Sequence, residues 1–83
     1  MEIALKEDDF EFMRILGKNE LSLGKIREEL GTEKSKTQKI FNNLNKRGMI
    51  DSRKEGRERL VKLNSNGRYF LAFYLRQLRL RDK

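Results

Sequence analysis

Residues 30–50, LGTEKSKTQKIFNNLNKRGMI, contain one amphipathic helix framed by two glycines. From Lys34 to Arg47, the side chains that share one helical face recur every three or four residues. They are Thr37, Ile40, Phe41 and Leu44. Gly48 follows, and glycine commonly ends helices. The segment therefore predicts a helix over 34–47 whose other face is polar and basic.

A second, shorter helix is predicted immediately before this one. Leu23, Ile26 and Leu30 recur at helical spacing, and Gly31 ends the pattern. Only residues 31–33 separate the two helices. Two short helices joined by a tight turn that contains glycine form a helix-turn-helix motif.

Another helix is expected near the start of the chain, over residues 8–16, with Gly17 as its terminator. Its predicted core face consists of Phe12, Ile15 and Leu16. Phe10 and Met13 lie off this face, so they are expected either to pack on another element or to face a partner. Residues 20–23 predict a brief extended segment before the next helix.

A charged β-hairpin is predicted after the helix-turn-helix motif. Residues 49–54 and 59–63 are compatible with β-structure, and Gly56 between them suits a tight turn. Residues 64–67, NSNG, offer an N-cap for a final helix over 65–81. The expected fold is therefore α+β, with a three-helix core, a two-stranded hairpin and a C-terminal helix.

Length and composition exclude several classes of protein. The 83 residues are expected to form one domain, 1–83, and the chain has no cysteine and no histidine. Disulfides, thiolate metal sites and histidine general bases are therefore excluded, and we expect neither an enzyme nor a cofactor. The acidic pairs Asp8-Asp9 and Glu28-Glu29 are interpreted as a helix start and a solvated helix face. Because the sequence contains no apolar run near 18 residues and no signal segment at its start, a cytoplasmic protein without a membrane span is expected.

Charge is distributed unevenly along the chain. The net charge is +7, but residues 1–33 contain five basic and nine acidic residues, for a net charge of −4. Residues 34–83 contain fifteen basic and four acidic residues, for a net charge of +11. This asymmetry predicts nucleic acid as the partner of the basic half, with an acidic membrane surface as the alternative.

Two sequence signatures resemble those of winged helix-turn-helix transcription regulators, most closely the MarR-like and PadR-like proteins. In those proteins a Leu-Gly turn precedes the recognition helix, a leucine follows, and glycine with two apolar residues leads into the hairpin, or wing. The matching residues are Leu30-Gly31, Leu44 and Gly48-Met49-Ile50. Residues 61–67, VKLNSNG, are similar to a second signature, V-x-L-T-x-x-G, with asparagine replacing threonine as the helix cap. The abundance of Lys, Glu and Arg without proline also resembles small regulators of archaeal cells and viruses.

The resemblance implies sequence-specific binding of double-stranded DNA by a homodimer that regulates transcription. The helix over 34–47 would lie in the major groove, and the wing would contact the backbone or the minor groove. The long flanking helices that build ligand pockets in full-length MarR-like proteins are reduced to one tail, so no small-molecule ligand is expected. The alternatives are a winged-helix protein-interaction module that does not read DNA, and an RNA-binding protein.

Candidate DNA-binding residues lie on the polar face of the predicted recognition helix and in the wing. From Lys34 to Ile50 there is no acidic residue, whereas solvated faces normally mix charges of both signs. Glutamine and asparagine can pair with adenine edges, and Arg57 at the turn suits a phosphate or a narrow minor groove. An ordinary solvated helix and a hairpin that protects a sheet edge remain the alternatives. The candidates are Lys34, Ser35, Lys36, Gln38, Lys39, Asn42, Asn43, Lys46, Arg53, Lys54, Arg57 and Arg59.

The tail, residues 69–80, is apolar on two sides of a helix. One side contains Leu71, Tyr74, Leu75 and Leu78, and the other contains Tyr69, Phe73 and Leu80. A small domain can cover one of these sides, so the second predicts a homodimer, with the choice of side left open. The candidate interface residues are Phe10, Tyr69, Phe70, Phe73, Tyr74 and Leu78. A helix on a membrane surface, favoured by Arg76, Arg79 and Arg81, is the competing interpretation.

Overall fold

The helix-turn-helix segment is the centre of a four-helix, three-stranded arrangement in the computed structural model, which describes residues 5–81. The elements in chain order are α1 (Glu7–Leu16), β1 (Leu21–Ser22), α2 (Leu23–Leu30), α3 (Lys34–Lys46), β2 (Ile50–Glu55), β3 (Glu58–Leu63) and α4 (Ser65–Arg81). The predicted α+β fold is confirmed. The predicted domain, 1–83, includes residues outside the described range. The side chain of Arg81 also lies outside what the structure describes.

The sheet is antiparallel with strand order β1-β3-β2. The extended segment expected near residue 20 pairs with β3, through Leu21 opposite Val61 and Ser22 opposite Leu60. The hairpin of β2 and β3, residues 50–63, is the wing. Its strands run in register from the Ile50–Leu63 pair to the Glu55–Glu58 pair. Because only two residues remain for the turn, Gly56 adopts a positive φ of 62°, as a tight hairpin requires.

The core lies between the three N-terminal helices and the inner face of the sheet. Its largest fully buried side chains come from α1, α2, α3 and β3: Phe12, Met13, Leu16, Ile26, Leu44 and Val61. The predicted core face of α1 is partly wrong, because Met13 is fully buried while Ile15 is only half-buried. Phe10 packs within the chain, with its ring stacked 4.1 Å from that of Tyr74 in α4.

The junction between the wing and α4 explains the VKLNSNG signature. Asn64 Oδ1 accepts a hydrogen bond from the Gly67 amide at 2.9 Å, which caps α4. Asn64 Nδ2 donates to the carbonyl oxygen of Gly48 at 2.7 Å, so the same side chain ties the end of the wing to its beginning. A Cβ atom at Gly67 would overlap the carbonyl oxygen of Met49. Glycine is therefore required there by close packing.

Helix α4 uses one of its two apolar sides within the chain. Leu71 is buried, Tyr74 and Leu78 are half-buried, and the helix packs against α1 and β3. Tyr69, Phe73 and Leu80 remain 68%, 54% and 55% exposed. Leu75, predicted on the same side as Leu71, is also 41% exposed, because it lies at the edge of the packed side. Within residues 5–81, no helix combines the length and apolarity needed to cross a bilayer.

Candidate nucleic-acid interface

Helix α3 holds eight of the predicted DNA-binding residues. Its inner face is anchored by Thr37, Ile40, Phe41 and Leu44, which are all buried. Because that face is fixed in the core, the helix must present its other side outward. Seven of the eight candidates are exposed, and Asn43 is half-buried.

The eight candidate residues of α3 fall into three groups around the helix. With 3.6 residues per turn, those opposite the core face are Ser35, Lys39, Asn42 and Lys46. Lys34 and Gln38 lie on the side of α2 and the wing, where both line a cleft. Lys36 and Asn43 lie on the side of α1. The candidates of α3 therefore spread over three adjacent sides of the helix, and Lys39 joins the outward group to the α1 side.

Two candidate base-reading residues are hydrogen-bonded to each other. Gln38 Nε2 donates to Asn42 Oδ1 at 3.0 Å, across one helical turn. The second amide hydrogen and the oxygen of Gln38 stay unused in this pair, as does the amide nitrogen of Asn42. A paired donor and acceptor are the groups that an adenine edge requires. The hydrogen bond restricts both side chains before any ligand binds.

Asn43 and Lys36 are engaged with the acidic start of α1. Asn43 Nδ2 donates to Asp9 Oδ2 at 3.2 Å, and Asp9 is only 5% exposed. Asp9 also accepts the backbone amide of Lys6 at 2.8 Å, which caps α1. Lys36 Nζ lies 3.0 Å from Asp8 Oδ2. Both side chains thus serve the α1–α3 contact.

A cleft of about 350 Å³ lies between α2, the N-terminal half of α3 and the tip of the wing. We call it the basic cleft, because four cationic side chains and one acidic side chain line it. The cationic residues are Arg27, Lys34, Arg57 and Arg59, and the acidic one is Glu58. Three of the four were predicted from sequence. Arg27 was missed, because it comes from the part of the chain with net negative charge, and only the fold brings it beside the wing.

Arg59 is held in a defined orientation in the basic cleft. Its guanidinium carbon lies 5.9 Å from the centre of the Phe41 ring, and its Nη1 donates to Ser52 Oγ at 3.2 Å. Lys54 is directly opposite Arg59 in the strand register and therefore shares its face of the wing. Arg57, in the turn, is exposed at the tip. The wing thus directs several cations toward α3.

Arg53 lies on the other face of the wing. It pairs in register with Leu60, one position from the Lys54–Arg59 pair, so its side chain alternates away from α3. Its guanidinium lies 2.9 Å from Glu20 and 2.6 Å from Glu55. The hydrogen bond from Arg53 lowers the pKa of Glu20 below its ordinary value, and the pKa of Arg53 is raised in turn. The structure does not bring Arg53 together with the basic cleft.

The predicted dimer residues separate into two sets. Phe10 and Tyr74 stack on each other inside the chain, and Phe70 is half-buried with its ring 5.4 Å from that of Tyr69. Leu78 is half-buried on the same side as Tyr74. Tyr69 and Phe73 are exposed, together with Leu80, which sequence reasoning left out of the interface.

The fold is decided by three features together. They are the order of the helices, the three-stranded sheet, and the wing next to α3, the second helix of the helix-turn-helix motif. This chain has the winged helix-turn-helix fold. The resemblance predicted from the LG…GMI and VKLNSNG signatures is thereby confirmed for the fold. The sequence matches no family model, and no curated protein matches it.

Solved winged-helix structures superpose well on this winged helix-turn-helix chain. The PcaV transcriptional regulator of Streptomyces coelicolor, in complex with its natural ligand, has a TM-score of 0.78 at 19% identity, over 82% of this chain and 51% of that one. The AdcR repressor of Streptococcus pyogenes has a TM-score of 0.85 at 13% identity, over 98% and 61%. An Archaeoglobus fulgidus protein has a TM-score of 0.84 at 16% identity, over 96% and 93%. The chain thus spans about half of PcaV but nearly all of the archaeal protein.

Proposed function

We propose that the protein is a transcription regulator that binds double-stranded DNA sequence-specifically as a homodimer. Helix α3 would lie in the major groove, and the wing would contact the backbone or the minor groove. The observation that carries this proposal is the acid-free exposed side of α3 beside the basic cleft, where Arg27, Arg57 and Arg59 converge with Lys34. We assign the protein no catalytic role and no small-molecule effector.

The shape of α3 suits the major groove. That groove, about 12 Å wide, admits one α-helix. Ser35, Lys39, Asn42 and Lys46 would then point into it, and the Gln38–Asn42 pair would face base edges near the wing. Specificity would come from these amides, because only base-edge contacts carry direct sequence information.

The basic cleft suits the phosphate backbone that borders the groove. An arginine already oriented over Phe41 loses little conformational freedom on binding, so Arg59 is the strongest candidate for a fixed phosphate contact. Arg57, at the tip, has the reach and freedom to follow a phosphate or enter a narrow minor groove. Affinity would come largely from these cations and would fall steeply as salt rises.

The similar structures support a regulatory role. PcaV is named as a transcriptional regulator and AdcR as a repressor, and both contain the fold of this chain. BpsR of Bordetella bronchiseptica, whose DNA binding is regulated by 6-hydroxynicotinic acid, also has this fold, with a TM-score of 0.80 at 17% identity over 89% of this chain and 55% of that one. Membership of the MarR-like subfamily stays a prediction.

A homodimer is supported by the exposed apolar side of α4. On this side of each α4, the side chains of Tyr69, Phe73 and Leu80 are exposed to water, which is costly, and a second copy would cover them. A two-fold axis would present two α3 helices to half-sites about 34–36 Å apart, which predicts a near-palindromic site.

Selection of bound duplexes from a random pool tests the proposal directly. We expect enrichment of a two-fold-symmetric sequence, and footprinting should protect two half-sites one helical turn apart. Recovery of random sequences, with affinity that hardly changes between about 50 and 200 mM salt, would favour the protein-interaction module. Preference for unpaired RNA would favour an RNA-binding protein, although neither the exposed side of α3 nor the wing offers an exposed aromatic side chain for stacking.

A further inference from the structure

Four residues on the exposed side of α4 form a continuous stripe. Tyr69, Phe73, Arg76 and Leu80 are separated by four, three and four residues, which is the spacing of a coiled-coil seam. All four are exposed. They lie opposite Leu71, Tyr74 and Leu78, which are the side chains that α4 turns toward the domain. We call these four residues the α4 seam.

The α4 seam contains a charge that constrains how two copies can pair. Between Ser65 and Leu80 the helix contains Arg68, Arg76 and Arg79 and no acidic residue. In a parallel pair, residues with the same number face each other, so the two Arg76 side chains would meet in the middle of an apolar contact. Two like charges brought together while losing water are strongly unfavourable. A parallel pair of seams is therefore disfavoured.

An antiparallel pair removes this conflict. A two-fold axis passing midway between residues 74 and 75 puts Tyr69 opposite Leu80 of the partner subunit. The same axis puts Phe73 opposite Arg76 of the partner subunit. One register thus matches both pairs at once, and it lays each guanidinium against an aromatic ring, where a cation–π contact is favourable.

We infer that two copies of this chain associate through antiparallel α4 seams, with Arg76 of each subunit packed on Phe73 of the other. This inference rests on the homodimer of the proposed function, and it adds the partner's orientation and register. Arg76 then acts as the residue that selects the antiparallel orientation, in the way that a polar residue in a coiled-coil seam selects register.

Engineered disulfides distinguish the orientations, because the native chain has no cysteine. In the antiparallel register, the two copies of Tyr69 are eleven residues apart along the helix axis, which is about 16 Å at 1.5 Å per residue. That exceeds the roughly 7 Å between Cα atoms that a disulfide can bridge. Tyr69→Cys alone should therefore stay monomeric on a non-reducing gel after mild oxidation. A mixture of Tyr69→Cys with a tag-lengthened Leu80→Cys chain should give the mixed covalent dimer.

Lys25→Cys, exposed on α2, replaces Tyr69→Cys in the control mixture and measures random collisions. Because the substituted side chains are exposed, the variants should keep the circular dichroism spectrum of the native chain. Efficient self-crosslinking of Tyr69→Cys without the mixed product would overturn the antiparallel register while leaving the dimer intact. Sedimentation equilibrium showing a monomer at about 100 µM would overturn the α4 seam itself. DNA titration of that monomer on a single half-site would still test the DNA-reading part separately.

Substitution of Arg76 supplies a second test with opposite signs for the two orientations. In the antiparallel register, Arg76→Ala removes two cation–π contacts per dimer and should raise the dimer dissociation constant about tenfold. In a parallel pair, the same change removes a repulsion and should lower that constant. Arg79→Ala, an arginine outside the seam on the same helix, is the control and should change it less than about twofold. A fall in the constant for Arg76→Ala would overturn the inference.

Discussion

Replacing Gln38 with alanine should reduce sequence preference rather than general DNA affinity. Gln38 faces the side of α3 next to the wing and keeps a free amide hydrogen and oxygen beside its bond to Asn42. A bidentate contact with one base contributes about 1–3 kcal/mol, which corresponds to a loss of about 5- to 150-fold in affinity for the selected site. Affinity for a random duplex should change little. Titrations of both duplexes by fluorescence anisotropy measure the difference.

The Gln38–Asn42 hydrogen bond adds a further expectation. Because Gln38 restrains Asn42, removing Gln38 should also weaken whatever contact Asn42 makes. The double variant should therefore lose less affinity for the selected site than the two single variants together predict. Additive losses would mean that the two amides act independently on DNA.

Replacing Arg57 with alanine should have the opposite signature. Loss of one phosphate contact lowers the slope of log affinity against log salt by about 0.9. Between about 50 and 200 mM salt, the factor by which affinity falls should therefore be about 3.5 times smaller for each subunit that loses the contact. This change should be the same for the selected and the random duplex. Should Arg57 enter a narrow minor groove, its loss would depend on whether the flanks are A·T-rich, and flank-swapped duplexes detect this.

Asn43→Ala is the matched control on the same helix. It removes the donor to the buried Asp9 carboxylate, which should lower the free energy of unfolding by about 1–3 kcal/mol. At a temperature where the variant is folded, its ratio of selected to random affinity should equal that of the native protein. If Gln38→Ala and Arg57→Ala also bind both duplexes as the native protein does, α3 and the wing do not contact DNA in the proposed way.

Three further predictions concern the scaffold. Asn64→Ala removes the cap of α4 and the hydrogen bond to Gly48, which should lower the free energy of unfolding, measured in urea, by about 1.5–3 kcal/mol. Asn64→Thr keeps the cap and loses only the bond to Gly48, so it should lower the free energy of unfolding by about half as much. Gly67→Ala should destabilise the fold by about 1–3 kcal/mol, because the added Cβ atom would overlap the Met49 carbonyl oxygen. Gly24→Ala is the control: its Cβ atom would meet no neighbour, and alanine favours a helix over glycine, so this change should stabilise the fold by up to about 1 kcal/mol. Equal effects of the two changes on thermal unfolding would refute the packing argument. The hydrogen bond from Arg53 lowers the pKa of Glu20, so the ion pair stabilises the fold at pH values above the ordinary glutamate pKa, and this stabilisation is lost as the pH falls through the lowered pKa. An NMR titration should place the midpoint of Glu20 below 4.5, and Arg53→Ala should raise that midpoint. A midpoint that Arg53→Ala leaves unchanged would show that the pair does not form in solution.

Local signals in the sequence were sufficient for the succession of elements. A helix is indicated by a periodic apolar face and a residue that ends it. In residues 23–48 two such apolar faces are present, and they end at Gly31 and near Gly48. The wing follows from a turn glycine between two short β-compatible segments, and the last helix follows from Asn64 as its cap. These signals involve residues within a few positions of one another, so they do not depend on the rest of the chain. The acid-free stretch from Lys34 to Ile50 is equally local, and it identified most of the candidate interface.

Long-range packing decided the remainder. Both sides of α4 are apolar, so periodicity could not tell which side packs; the Phe10–Tyr74 stack and the burial of Leu71 decide it and leave Tyr69 and Phe73 exposed. In α1, Met13 is buried and Ile15, which the sequence pattern predicted in the core, is only half-buried. The reason is the same, because the positions of neighbouring elements determine which side of a helix is buried.

The membership of the basic cleft also depended on tertiary structure. The two-residue turn fixes the strand register, and strand alternation then turns Arg59 toward α3 and Arg53 toward Glu20 on the opposite face. Arg27, in the net-acidic part of the sequence, reaches the cleft because α2 packs beside the wing. The sequence by itself therefore determined the elements, the fold class and the chemistry of the candidate interface. The tertiary structure decided which cations converge and which apolar side stays exposed, because those depend on contacts between residues far apart in the chain.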